Sequence, residues 1–212
     1  MEILEVKDGA IEGIKIIKFK RFLDERGYFT EPFRNSQFKE LDFLKDVTFQ
    51  QANESFSKRG VVRGLHFQWN PHMGKLLRTL KGRMIDMFVD IRMGSPTLGK
   101  LGMYEIDSRT QNDFGEWIWV PPGFAHGNFF TEPTVIEYYC SGEWSPKCEA
   151  GILSLDNNWV DTSICDQNLL TELQLLQHSG QAIVSDKDKH AYQLEDWLKT
   201  KESVQFQYED LR

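Results

Sequence analysis

The 212-residue chain has only three cysteines, Cys140, Cys148 and Cys165, and none of them stands in a CxxC pair. An odd count without paired spacing, in a chain of this length, argues against a disulfide framework and leaves structural thiols as the reading. No run approaches the roughly 18 apolar residues that a membrane span requires. The N-terminal stretch MEILEVKDGAIEGIKIIKF is too interrupted by charge to serve as a secretory core. A soluble, cytoplasmic chain with no membrane partner is therefore expected. A basic block is also missing: the net charge of −7 is spread along the chain, so nucleic acid is not an expected partner. A local cluster of Arg and Lys could still hold a small phosphate ligand. Internal repeats and low-complexity segments are absent as well.

What is present is enough for one sizeable core, with 40% hydrophobic and 13% aromatic residues. We expect a single domain over residues 1–212, with a barrel core at about 14–155 and a helical part at about 156–212. From Ile14 onward, short β-like runs such as IKIIKF, VTFQQANESF, GVVRGLHFQ, KLLRTLKG and TVIEYYCSGEW are separated by Gly, Pro, Asn and Asp. Alternation is clearest in MIDMFVDIR, where Ile85, Met87, Val89 and Ile91 share one face and Asp86, Phe88, Asp90 and Arg92 the other. Many short strands with turn residues between them predict a mainly β chain, an antiparallel sandwich or barrel of the jelly-roll kind. The interior of such a barrel can hold a ligand. After Asp156 the leucines of DQNLLTELQLLQHSG fall near helical spacing before a Gly stop, and QLEDWLKT reads as a second short helix.

Some polar residues fit a plain core poorly. In VVRGLHFQWNPHMGKLLRTLKG, residues 61–82, a histidine and a lysine stand nine positions apart within apolar strands. Strand alternation puts Arg63, Leu65 and Phe67 on one face and Gly64, His66 and Gln68 on the other. An interior His66 would have a side chain suited to moving a proton near neutral pH. A Lys75 that points into a cavity would supply a positive charge for a developing oxyanion, whereas on the outer face it would only be solvated. Periodicity does not decide which face Lys75 takes.

The segment GEWIWVPPGFAHGNFF, with Gly115, Pro121-Pro122-Gly123 and His126, resembles the second sequence motif of the cupin superfamily. Together with RGLHFQ and GRMIDMFVDIRMGSPTLGK, in that order and spacing, it resembles the dTDP-4-dehydrorhamnose 3,5-epimerase family over about residues 22–188. That resemblance implies a cupin-type antiparallel jelly-roll barrel with short C-terminal helices. It also implies an isomerase that acts on a nucleotide-diphosphate sugar without a cofactor or a metal, and a homodimer in which an early Arg and Phe reach the partner's ligand. The family's reaction inverts C3 and C5 of a nucleotide-linked 4-keto-6-deoxy sugar. Both carbons are α to the carbonyl, so each proton becomes removable once the enolate is stabilised. By position in the motifs, His66 matches the base, Asp186 in SDKD the carboxylate that orients it, Lys75 the group that stabilises the enolate and Tyr138 the acid on the opposite face. Arg26, Phe29, Glu31, Gln51, Asn53, Arg63, His126 and Glu149 stand at the family's substrate positions. Arg26 and Arg63 are the natural diphosphate clamps, and Phe29 is suited to stack on the base.

The chain departs from the family pattern at several positions. The loop FQWNPHMG is short and carries His72, which has no family role and is expected at the mouth of the site. Trp144 stands where the family usually has a tyrosine, and Tyr139 follows Tyr138, so either tyrosine could be the acid, with only one of the two in the cavity. Two alternatives remain. One is an epimerase that inverts a single carbon. The other is a metal-dependent cupin, which His66-Phe67-Gln68 serves poorly because it lacks the second histidine of an HxH pair. A non-catalytic binding module is disfavoured by the joint presence of His66, Lys75, Tyr138 and Asp186.

Overall fold

In the computed structural model, which describes residues 1–110, 113–154 and 156–211, the β-branched and aromatic runs form strands that pair antiparallel in two facing sheets. The N-terminal strands are β1 (Ile3–Asp8), β2 (Lys15–Lys20) and the short hairpin of β3 (Phe22–Asp24) and β4 (Gly27–Phe29), followed by a helical turn, α1 (Asn35–Phe38). The central strands are β5 (Gln51–Ser57), β6 (Val62–Gln68), β7 (Lys75–Lys81), β8 (Arg83–Asp90) and β9 (Leu101–Asp107). Then come β10 (Phe114–Val120), β11 (Phe124–Phe129), β12 (Thr134–Cys140) and β13 (Glu149–Gly151). The helices α2 (Gln167–His178), α3 (Asp186–Lys189) and α4 (Leu194–Leu198) follow. One sheet runs β1-β2-β10-β7-β12-β5 and the other β13-β6-β11-β8-β9, the jelly-roll arrangement expected.

Three apolar layers stack across this frame. Between the sheets lie Ile16, Leu77, Met84, Phe88, Ile118 and Ile136. Outside the second sheet, Leu65, Phe67, Ile85, Met87 and Val89 pack against Leu169, Leu173, Trp197 and Phe206 of the C-terminal part. Outside the first sheet, Trp117, Trp119 and Tyr139 meet Phe33, Phe38 and Leu44 of the 33–49 segment. This layering explains why MIDMFVDIR alternates and yet has no wet face: Asp86 and Asp90 are fully buried, because both faces of β8 are covered. Both predicted helices are present, and α2 starts where the Asp166 carboxylate accepts the backbone N–H groups of Asn168 and Leu169. Sequence patterning missed β1, β3, β13, α1 and α3. Residue 155, the last of the expected barrel core, lies outside the described residues.

The expected alternation of β6 is broken. His66 pairs with His126, but Arg63 pairs with Asn128, so three steps on β6 oppose two on β11. The extra residue is a bulge, and it turns both Arg63 and His66 into the cavity where strict alternation would separate them. Gly64 makes this possible. Its φ is +100°, and a Cβ there would lie 2.7 Å from the carbonyl oxygen of His126.

The C-terminal tail is anchored by a buried ion pair. Arg92 donates to both carboxylate oxygens of Asp90, at 3.0 and 2.8 Å, and to the Leu211 carbonyl at 3.3 Å, and its guanidinium lies over the rings of Phe124 and Tyr208. Removing one partner of such a pair leaves a buried charge uncompensated. Arg92→Ala is therefore expected to lower the unfolding free energy by about 3–5 kcal/mol, read from urea denaturation. A midpoint equal to that of the parent would refute the pairing.

Candidate active site

His66 and His126 enter the space between the sheets from β6 and β11, directly opposite one another in register. Lys75 and Tyr138 enter from the facing sheet, on the neighbouring strands β7 and β12. The cavity between them, about 450 Å³, is lined by Arg63, His66, Lys75, His126, Tyr138 and Asp188 among others. A second cavity of about 360 Å³ shares His66, Lys75 and Tyr138 and extends past Gln51, Asn53, Met73, Trp144 and Glu149. Such a pair of connected compartments suits an elongated polar ligand.

The carboxylate that meets His66 is not the expected one. Asp188 Oδ1 accepts from His66 Nε2 at 2.6 Å, whereas Asp186 is largely solvent-exposed and pairs with Lys189. The SDKD segment forms the first turn of α3, and Ser185 caps it by accepting the backbone N–H of Asp188. In a capping turn the third helical residue reaches back past the cap, while the first points away. The Ser185-x-x-Asp188 spacing was the signal for the correct aspartate. Gly64 N–H donates to the second oxygen of Asp188 at 3.2 Å. Burial pushes the Asp188 carboxyl upward, but the hydrogen bond and charge of His66, with Gly64 N–H and the Ser185 cap, hold it below the usual carboxylate range. With Nε2 committed to Asp188, Nδ1 is the ring nitrogen left to take a proton from a ligand.

The remaining polar groups are organised by burial. Lys75 takes the cavity face, and its removal from water lowers its pKa against the opposing pull of Cys140, Glu149 and Asp86. Tyr138 lines both cavities, and burial raises its phenol pKa. Tyr139 points to the other side of the sheet, with ring centroids 5.1 Å from Phe33 and 5.3 Å from Trp117. Period-two alternation thus separates the two tyrosines and puts Tyr138 in the cavity. His126 Nε2 donates to Asp86 Oδ1 at 2.8 Å, and Asn128 donates to the same oxygen. Asp86 lay on the predicted polar face of its strand, but sequence reasoning gave it no role in the site.

At the outer compartment, Gln51 donates to Asn53 at 3.0 Å and accepts the backbone N–H of Trp144 at 2.9 Å. Glu149 pairs with Lys187, which sequence reasoning had not singled out. Burial pushes the Glu149 carboxyl upward, and the hydrogen bonds from Lys187 and Trp144 bring it below its usual value. Arg63 lines the inner cavity, and its guanidinium donates to Ser57 Oγ at 2.9 Å and the Phe56 carbonyl at 3.2 Å. The chain does not bring Arg26, Phe29 and Glu31 to this place. Arg26 and Phe29 lie on the exposed β3–β4 hairpin, Arg26 paired with Asp24, and Glu31 pairs with Arg34 and the N-terminal amine. His72 is not at the mouth. Its Nε2 donates to the Gln205 carbonyl at 3.0 Å and its ring meets Phe206 edge-on, so it anchors the tail, and Met73 takes the cavity position. Among the described residues, no three His, Cys, Asp or Glu side chains converge as a metal-holding group.

The state of His126 is testable by titration. Burial lowers its pKa, and the charges of Lys75 and His66 add to this against the upward pull of Asp86. As the pH falls, the unfolded chain binds the proton first, near pH 6.5. Stability contributed by neutral His126 is therefore present above about pH 6.5 and lost on acidification. Ring ¹⁵N NMR is expected to give His126 a titration midpoint below the free-histidine value; a midpoint at or above it would overturn this.

Comparisons with known proteins show the family. A family model described as dTDP-4-dehydrorhamnose 3,5-epimerase matches residues 8–196. The enzyme of that name from Sinorhizobium fredii is 40% identical over 159 residues, covering 73% of this chain and 75% of the relative. A Neisseria gonorrhoeae relative of the same name is 36% identical over 162 residues, and the match spans 76% of this chain but only about half (46%) of that protein's length. Among solved structures, a dTDP-6-deoxy-D-glucose-3,5-epimerase from Legionella pneumophila, in complex with dTDP-4-keto-L-rhamnose, superposes with a TM-score of 0.76 at 32% identity. That superposition covers 94% of this chain and 96% of the other. Matched over most of its length by the family model and by relatives above 30% identity, this chain belongs to the dTDP-4-dehydrorhamnose 3,5-epimerase family.

Proposed function

We propose that this protein inverts C3 and C5 of dTDP-4-dehydro-6-deoxyglucose to give dTDP-4-dehydrorhamnose, by proton abstraction and reprotonation through an enolate. One observation carries the reading: His66 of one sheet, paired with Asp188 of α3, faces Lys75 and Tyr138 of the other sheet across a single cavity. A sugar ring held between the sheets has a base on one face and a phenol on the other, as inversion of a carbon requires. His66 Nδ1 takes the α-proton, and Asp188 stabilises the imidazolium through Nε2–H. The electron pair moves onto the C4 oxygen, where the Lys75 ammonium, poorly solvated and close by, stabilises the negative charge. Tyr138 then delivers its proton to the opposite face of the same carbon. For the second carbon, His66 has first released its proton and Tyr138 has regained one.

His126, neutral and with its one N–H held by Asp86, presents Nδ1 to the cavity as an acceptor for a sugar hydroxyl. Arg63, Gln51, Asn53 and Glu149 receive the nucleotidyl end. The β3–β4 hairpin exposes Phe22, Leu23, Tyr28 and Phe29 on one small element, and this favours a homodimer in which Arg26, Phe29 and Glu31 serve the partner's site. The three free cysteines suit the cytoplasm.

Turnover in deuterated water tests the reaction. The expected product carries two solvent deuterons, one per inverted carbon; one deuteron would mean a single-carbon epimerase, and none would reject this substrate. His66→Ala and Asp188→Asn are expected to lower kcat by about 10²–10⁴, with Asp186→Asn close to the parent. Full activity in Asp188→Asn would defeat the assignment. Sedimentation is expected to give a dimer, and Phe29→Asp to give a monomer with a raised KM; an active monomeric parent would reject the shared site.

A further inference from the structure

Gln68 is almost fully buried at the inner end of the outer cavity, and both ends of its amide are engaged by backbone. Its Nε2 donates to the Pro71 carbonyl at 3.1 Å and to the Glu143 carbonyl at 3.0 Å, and its Oε1 accepts the Ser145 N–H at 2.7 Å. These three bonds join two loops that are far apart in sequence. One follows β6 and supplies Met73 to the cavity wall; the other follows β12 and supplies Trp144. The second loop is further held by Gln51, which accepts the Trp144 N–H, and by Ser141, whose hydroxyl accepts the Gly74 N–H. The His66 side chain two residues earlier on the same strand does chemistry at the inner cavity, so β6 carries a catalytic group and a structural amide side by side.

We propose that Gln68 is a positioning residue that sets the aperture of the outer cavity, fixing Met73 and Trp144 in the geometry that accepts the nucleoside diphosphate end of the substrate. This rests on the function proposed above, and it adds a residue that contacts neither the sugar nor the reacting atoms. A glutamine suits the task because it offers two donors and one acceptor in a fixed plane, matched here to two carbonyls and one N–H. Without the amide, three backbone groups next to a buried position lose their partners, and the loops are free to move apart. Because binding is sensitive to small displacements of the groups that hold a ligand, the loss falls on affinity for the nucleotidyl end. The His66–Asp188 bond, anchored separately by Gly64 and Ser185, keeps its geometry.

Gln68→Met keeps the length of the side chain and removes the amide. It is expected to raise both the KM for the nucleotide sugar and the Kd for dTDP alone by about tenfold, with kcat within about twofold and two deuterons still incorporated per product. Gln68→Glu keeps the acceptor for Ser145 N–H but sets a carboxylate oxygen against the Pro71 and Glu143 carbonyls, so its Kd for dTDP is expected to rise at least as far as in Gln68→Met. Amide hydrogen exchange at Ser145 is expected to quicken in Gln68→Met and to stay slow in Gln68→Glu. A fall in kcat at unchanged KM would overturn the proposal, and so would a drop in melting temperature with unchanged dTDP affinity. If the parent binds dTDP but does not turn over the sugar, the proposed reaction fails, while the Gln68 comparison still reads out on dTDP.

Discussion

The hydrogen bond between His66 and Asp188 joins residues 122 positions apart, and much of the architecture exists to make it possible. A carboxylate removed from water loses several kcal/mol of solvation, so Asp188 is tolerable only where donors converge on it. Two do, His66 Nε2 and Gly64 N–H, and Ser185 orients the turn by accepting the Asp188 backbone N–H. To deliver Asp188, the chain returns from α2 and lays residues 183 and 192 against the second sheet. Val62 N–H donates to the Ile183 carbonyl and Tyr192 N–H to the Gly151 carbonyl, on either side of the pair. The helical C-terminal part is thus no appendage to the barrel. It covers the outer apolar face of the second sheet and supplies half of the dyad.

The same constraint explains the charges set among apolar residues in β6, β7 and β8. Three ionisable groups of the cavities are each answered by another from a different element: His126 by Asp86, Glu149 by Lys187, His66 by Asp188. Lys75 differs, because its nearest opposite charges act over a distance and burial prevails, so its pKa falls. A cation under that tension gains most from a neighbouring negative charge, and in the proposed reaction such a charge appears only when the enolate forms. Interactions that strengthen at that moment lower the barrier without tightening the ground state.

Period-two alternation made most of the sheet legible from sequence, together with the assignment of one tyrosine to each side of β12. It failed at Arg63, because a bulge is decided by the neighbouring strand: Gly64 and Gly127 let β6 and β11 approach closely, and nothing local to RGLH encodes that pairing. The choice between Asp186 and Asp188 went wrong for a different reason. Motif position alone leaves two aspartates in SDKD, and only the capping geometry of a short turn separates them. His72 was misplaced because its partners, Gln205 and Phe206, come from the far end of the chain. β1 and β13 are short edge strands with largely exposed or mixed faces, and their pairing, rather than their pattern, defines them.

The inner and outer parts of the site differ in how their geometry is maintained. His66, His126, Lys75 and Tyr138 sit on interior strands of their sheets, where ladder bonds and packing fix them. The outer groups sit on loops and on the edge strands β5 and β13, and the loops are held by side-chain amides such as Gln51 and Gln68. The β3–β4 hairpin exposes aromatic rings and lines neither of these two cavities. An apolar cluster of that size on so small an element is unfavourable in water and gains from burial against another surface. In the proposed reaction, proton transfer is built into one chain, while recognition of a long nucleotide-linked ligand draws on loops and on a surface the chain leaves uncovered.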